Sequence, residues 1–220
     1  MATLLLRLAG PMQAWGTESR WEIRDSGREP SKSGVVGLLA AALGRGREQA
    51  VDDLARLRMA IRVEQEGILK KDYQTAADIV AADGGPPRDL VSTRYYLSDA
   101  EFLVALEGPE NLLEIIEAAM DAPVYPLFLG RKSYLPSVPV GIPGGLYSST
   151  NLRELLQHRP WEPTLRTNDP PRRLRVVEEV ERTERCSVRR DQPLGACFST
   201  REFGLRYVST YFVETPTRPK

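Results

Sequence analysis

Histidine is nearly absent from this chain, and cysteine almost as scarce. One histidine, His158, and two cysteines, Cys186 and Cys197, stand among 220 residues. Two cysteines eleven positions apart, with no histidine beside them, fit neither zinc-ligand spacing nor a disulfide framework. They read as free thiols in a reducing compartment. Metal-independent RNA cleavage usually wants a base and an acid, often a histidine pair or one histidine with Lys or Tyr. His158 sits alone among Gln157, Arg159 and Pro160, as an ordinary surface residue would. H-E-x-x-H, G-x-S-x-G and a paired Asp cluster are all missing. The carboxylates are scattered among arginines, so no two-metal site is visible. An excess of charge is missing too: 30 Lys and Arg balance 30 Asp and Glu, which is not the profile of a free-standing nucleic-acid binder. A local basic surface remains possible. No run of eighteen apolar residues exists to span a membrane, and Leu4 to Ala9 is too short, and carries Arg7, for a secretory signal. The expectation is a cytoplasmic protein without metal, cofactor or membrane contact, serving binding or assembly rather than catalysis.

What is present begins at the N-terminus. Leu4 to Ala9 is an apolar run of strand length, closed by Gly10-Pro11. Gln13 and Trp15 follow between two glycines. A Trp in such a loop either stacks on a base or a partner, or covers the end of the sheet. Thr17 to Glu29 is polar, carries Arg20 and Arg24, and reads as a short edge strand or an irregular loop. Pro30-Ser31-Lys32-Ser33-Gly34 then leads into Val35–Gly44, an apolar helix signature that Ser31 or Ser33 can cap. A helix start leaves N–H groups free for an anion, and Lys32 adds a cation where the dipole does not favour one. The two readings are a phosphate-receptive turn and a plain cap with a solvated lysine. Spaced glycines before the lysine are missing, so a P-loop is not implied.

Met59, Ile61 and Val63 alternate with Ala60, Arg62 and Glu64, a strand that Glu66-Gly67 is expected to turn back on itself. Lys70-Lys71-Asp72-Tyr73-Gln74-Thr75 combines cations, an aromatic and an amide, types that nucleic acid can use. Asp83-Gly84-Gly85-Pro86-Pro87 marks a tip, after which Arg94-Tyr95-Tyr96 resumes extended structure. Together 68–97 reads as a projecting hairpin, too polar to be core. Ala100 to Glu107 is a buried strand and Asn111 to Ala119 a helix. The order suits a ferredoxin-like sheet, with Ile68 to Thr75 as its last strand beside Val63, helices on one face and the other face free to take RNA or a second domain. From Pro123 the texture becomes Pro- and Gly-rich. Gly130 can open a turn that presents Arg131, Lys132 and Ser133 to a phosphate chain, or a solvated basic turn. Short strands near 172–183 and 203–213 complete a small β-rich subdomain.

Several of these blocks form one signature. Leu6-Arg7-Leu8-Ala9-Gly10-Pro11-Met12-Gln13-Ala14-Trp15-Gly16, then Pro30–Gly44, then Tyr96-Leu97-Ser98-Asp99-Ala100, then Pro126–Ser133, resemble the CasD-type subunits of Cascade, the type I-E CRISPR surveillance complex. The matches run from about residue 4 to 137. The resemblance implies an α+β fold: a ferredoxin-like, RRM-like domain over 1–122, with a thumb hairpin at about 68–97, and a Pro/Gly-rich and β-rich C-terminal part over 123–220. It implies a non-catalytic CRISPR RNA-binding subunit in antiviral defence. Such a subunit holds the 5′ handle, joins the repeating backbone subunit to the large PAM-reading subunit, and reaches target DNA only through the complex. The alternative is a metal-independent endoribonuclease that cleaves CRISPR repeat RNA, as in a related subtype. The residues this reading nominates for RNA are Gln13, Trp15, Arg20, Arg24, Ser31, Lys32, Ser33, Lys70, Lys71, Arg94, Arg131, Lys132 and Ser133.

Overall fold

The computed structural model describes residues 1–17, 22–80, 84–164, 170–183, 185–194 and 197–216. The first apolar run forms β1 (Ala2–Gln13), which outlasts the Gly-Pro step because Met12 and Gln13 still pair, with Ser98 and Leu97. β2 (Ile23–Arg24) is two residues long. α1 (Lys32–Ala42) begins at Ser31, whose Oγ accepts the Gly34 N–H at 3.3 Å. There follow α2 (Asp52–Ala55), β3 (Arg58–Gln65), β4 (Ile68–Ile79), β5 (Arg88–Gly108), α3 (Glu110–Asp121), β6 (Gly141–Ser148), α4 (Leu152–His158), β7 (Arg173–Glu179), β8 (Ser187–Pro193) and β9 (Phe203–Glu214).

The strands make one sheet in the order β6-β1-β5-β3-β7-β9-β8, with β2 and β4 attached to β5. The antiparallel core β6-β1-β5-β3, with α1 and α3 as crossings, has the strand order of a ferredoxin-like fold. Its last strand is not the expected one. Ile68 to Thr75 does not fold back beside Val63. Gly67, at φ +69°, kinks the chain without reversing it, and β3 and β4 run on along the same edge of β5. The closing strand is β6, which pairs Leu146 with Leu4. Pro143, Gly144 and Gly145 conceal it, because they interrupt any two-residue alternation.

The core fills both sides of this sheet. Leu4, Leu6, Leu8, Met59, Ile61, Phe102 and Val104 pack beneath Val35 and Leu39 of α1 and Leu113 and Ile116 of α3. The opposite face, expected to take RNA or a second domain, is covered by the C-terminal part. Leu5, Ala60, Leu103 and Ala105 lie in one buried cluster with Leu152 and Leu156 of α4, and Trp161 packs against it. Polar ties hold that cover down. Buried Arg62 donates to Leu156 O at 2.7 Å and Arg159 O at 2.6 Å, and pairs with Glu64 at 2.5 Å. Burial raises the Glu64 pKa, against the pull of Arg62. Thr164 N–H donates to Glu101 at 2.9 Å. The C-terminal strands extend the sheet where β7 pairs β3, Val177 against Ile61. The compositional change near 122 therefore marks no break in the sheet: β6 lies beyond it and pairs with β1. Among the described residues no helix is long and apolar enough to cross a membrane.

Candidate nucleic-acid interface

The Gly10–Gly16 loop carries no exposed ring. Trp15 is 1% exposed, its indole N–H donates to Gln13 Oε1 at 3.1 Å, and its ring lies against Gly34, where a Cβ would come within 2.8 Å of Cε3. Gln13 is fully buried and donates in turn to Ala100 O at 2.7 Å and Leu8 O at 3.2 Å. Neither residue presents a face to a base or ribose. Both lock the end of β1 to β5 and to α1, so of the two sequence readings the covering role holds.

The turn into α1 is likewise filled from within. The Lys32 N–H, which an incoming phosphate would use, donates to Asp191 Oδ2 at 2.8 Å. The Lys32 side chain is 1% exposed; its ammonium donates to Leu57 O and to Glu179 Oε2, the latter at 2.7 Å. Burial lowers the Lys32 pKa, with Glu179 opposing. Asp191 is itself held by Arg206 at 2.7 Å. Ser31 is the buried cap and Ser33 is half-buried on the first turn. An internal carboxylate occupies the anion position, so Ser31 and Lys32 are corrected from RNA ligands to structural groups. Arg20 lies outside the described residues.

The remaining nominees converge on the root of the arm formed by β4 and the first half of β5. Residues directly opposite in a ladder share a face, and alternate positions switch it. The pairs Lys70↔Tyr96 and Asp72↔Arg94 therefore lie on one face, joined by Arg24, which is in register with Arg94 on the parallel neighbour β2. Lys71 lies on the other face, opposite Tyr95. Arg24, Lys70 and Lys71 are exposed, and Arg94 is half-buried with its Nε on Ser92 Oγ at 3.3 Å. The basic turn abuts this root. Arg131 donates to Tyr95 O at 3.0 Å, Arg24 O at 3.4 Å and Tyr134 Oη at 2.9 Å, and Tyr134 meets Tyr96 at 6.1 Å between centroids. Gly130, at φ +92°, makes the turn fit. A Cβ there would stand 1.7 Å from Ala14 O, so no side chain is tolerated. Arg131 thus braces the arm, while Lys132 and Ser133 project into solvent.

A second basic feature was not nominated from sequence. The C-terminal strands and the approach to α1 enclose a cleft of about 710 Å³, lined among others by Arg28, Glu29, Glu66, Arg175, Arg189, Arg190 and Thr210. Arg175 pairs with Glu66 at 2.8 Å and Glu29 at 2.9 Å, and Arg189 also reaches Glu29 at 2.9 Å. The Arg189-Arg190 doublet before Asp191 was its only local signal; the strand that aims the doublet, β8, did not read as a strand.

The family model described as CRISPR-associated protein (Cas_Cas5) matches residues 3–209. The chain belongs to this family of CRISPR-associated proteins. Within it the chain is of the CasD type. It is 34% identical over 175 residues to the CRISPR system Cascade subunit CasD of Escherichia coli (strain K12), across 71% of this chain and 77% of that protein. A structure described as a crystal structure of Cas protein is 42% identical, covers 99% of this chain and 100% of its own, and superposes with a TM-score of 0.78. A chain of a CRISPR RNA-guided surveillance complex is 29% identical, with TM-score 0.81 over 97% of this chain and 91% of that one. Among the described residues of this Cas5-family chain, no group of three or more His, Cys, Asp or Glu could hold a metal ion.

Proposed function

We propose that this chain is a non-catalytic RNA-binding subunit of a type I-E Cascade complex. It holds the 5′ handle of the guide RNA at the arm root and joins the backbone filament to the large PAM-reading subunit. The arm root carries the reading: Arg24, Lys70 and Arg94 share one face, and Arg131 braces it beside solvent-facing Lys132. Asp72 is the one carboxylate paired into that face, so cations dominate it. Cations positioned on a strand surface bind the phosphates of a single strand, while neighbouring rings and backbone groups meet its bases. Membership of the family and likeness to a chain of a surveillance complex support the same assignment.

The test is reconstitution with partner subunits and guide RNA, comparing wild type with a Lys70→Glu, Lys132→Glu variant. Both side chains are exposed, and among the described residues neither has a hydrogen-bond or ion-pair partner whose loss would unfold the chain. Two lost phosphate contacts should lower the slope of log K against log salt by about 1.4, and handle occupancy should fall. Occupancy and slope equal to wild type would remove the arm root as the RNA site. Labelled repeat RNA incubated with the chain in EDTA should stay intact; a discrete cleavage product would establish the endoribonuclease instead.

A further inference from the structure

The cleft beneath residues 27–31 shares no residue with the arm root, and its charges do not balance. Three carboxylates line it, and arginines take all three. Arg206 holds Asp191 at 2.7 Å, Arg175 holds Glu66 at 2.8 Å, and Arg175 and Arg189 share Glu29 at 2.9 Å each. Burial pushes the Glu29 carboxyl up, but the two arginines outweigh it and hold its pKa below the ordinary value, so it stays charged at neutral pH. Two further arginines line the cleft, Arg28 and Arg190. Both are exposed, and the side chain of neither makes an ion pair or hydrogen bond among the described residues. They are the positive charges left over.

The chain neighbours of these two cations bring them to one place. Glu29, next to Arg28, is gripped by Arg189, next to Arg190. Arg175 adds a second clasp, from its guanidinium to Arg28 O at 3.3 Å. Both cations therefore stand on segments fixed to one another and to β7. Thr210 of β9 lines the same cleft, and its exposed hydroxyl makes no hydrogen bond among the described residues. Of the described residues in the lining, only Pro30 and Val188 have apolar side chains and none is aromatic. The ligand that suits this lining is anionic, takes a hydroxyl donor, and is held without stacking or apolar contact. Arginine and threonine are residue types that bind phosphate oxygens. A peptide brings apolar groups for which the lining has almost no complement. A sugar-phosphate chain brings a charge on every unit and little that needs burial. The volume, about 710 Å³, lies within the range of ligand clefts.

We propose that this cleft is a phosphate-backbone site: it holds the sugar-phosphate chain of a single nucleic-acid strand, with phosphates on Arg28 and Arg190 beside Thr210, and reads no base. It rests on the reading above only in taking a single strand as ligand; its residues are different. The full chain is titrated at several salt concentrations with a short fluorescent oligouridylate and with an abasic strand of the same length, which keeps the phosphates and lacks the bases. Arg28→Glu with Arg190→Glu removes two phosphate contacts and should lower the slope of log K against log salt by about 1.4 on both strands. Arg47→Glu with Arg172→Glu makes the same change of charge at exposed positions outside the cleft and should keep the wild-type slope. A slope that falls as far in this second pair overturns the site, because net charge alone then sets the binding. A fall on the oligouridylate alone overturns it too, because bases then take part. Oligoglutamate competing as well as the abasic strand makes the cleft a carboxylate site and overturns the phosphate assignment. The Arg28→Glu, Arg190→Glu variant binding as wild type, while Lys70→Glu with Lys132→Glu loses affinity, overturns the cleft and leaves the arm-root reading standing. The opposite pattern does the reverse. Absence of binding by the wild-type chain overturns both.

Discussion

Lys32 sits at the start of a helix, where the macrodipole opposes a cation, and that conflict first suggested an arriving phosphate. The conflict is resolved inside the chain. Glu179 and Leu57 O take the ammonium, and Asp191 takes the backbone N–H. A local violation of helix preference thus signalled a buried ion pair. Glu29 shows the same logic at a more open position. Arg175 and Arg189 depress its pKa below 4.5 despite its burial. The folded form then binds fewer protons than the unfolded form near pH 4, so this contribution to stability is complete above 4.5 and is lost as pH falls through the lower folded value. Urea unfolding between pH 7 and pH 3 should show wild type losing stability on the acid side. Glu29→Gln should be less stable at pH 7 and lose less on acidification. Parallel curves for the two proteins would mean that the arginines do not hold the carboxylate in solution.

The arm shows what one element contributes and what it does not. β5 is 21 residues long, and its stretch 88–96 pairs only with β4 and, at Thr93 and Arg94, with β2. None of that stretch is buried, and Leu90 and Val91 on it are exposed, as are Ile68 and Tyr73 on β4. Bends at Gly67 (φ +69°) and Asp99 (φ +56°) separate arm from core, with Gln65 Nε2 donating to Asp99 O at 2.5 Å between them. Since hydrophobic stabilisation follows buried area, the distal arm adds little to the fold. Replacing residues 75–91 by an Asn-Gly turn between Gln74 and Ser92, which pair directly, should change stability in urea by no more than is expected of surface changes, about 0.5 kcal/mol. A larger loss would place the distal arm in the core's energetics. The arm was legible because its cations and its Gly-Pro tip contradict burial. The closing strand β6 was not legible, since Pro143, Gly144 and Gly145 erase alternation. Nor was the direction of β4: Gly67 signals a positive φ, and a positive φ serves a kink as well as a reversal. At the site, exposure divided the nominees. Lysines on a polar strand remained available, while Trp15, Gln13 and Lys32 were packed into contacts that only tertiary structure supplies.

At the scale of the molecule, the C-terminal strands are bound into the sheet rather than laid against it. β7 takes the edge of β3, and one buried carboxylate ties four elements together. Glu178 accepts from Arg58 of β3 at 2.6 Å, Arg153 of α4 at 2.9 Å and Tyr211 of β9 at 3.0 Å, while itself on β7. Burial, with Glu178 beside it, pushes the Tyr211 phenol up to about 12. With backbone pairing continuous from β6 to β8, the C-terminal part has no surface along which to separate without breaking the β3–β7 ladder. Unfolding should therefore be one event despite the change in composition near residue 122. Tryptophan emission, to which buried Trp15 contributes from the N-terminal core, and a fluorophore on the free thiols Cys186 and Cys197 should report the same urea midpoint. Glu178→Ala should lower both midpoints together, with a loss of stability of about 1–3 kcal/mol, because it removes the acceptor of the Tyr211 hydroxyl and one carboxylate partner each from Arg58 and Arg153. If the thiol label moves first while tryptophan emission holds, the C-terminal strands form a separate unit, and the Glu178 network is a weak seam between two domains.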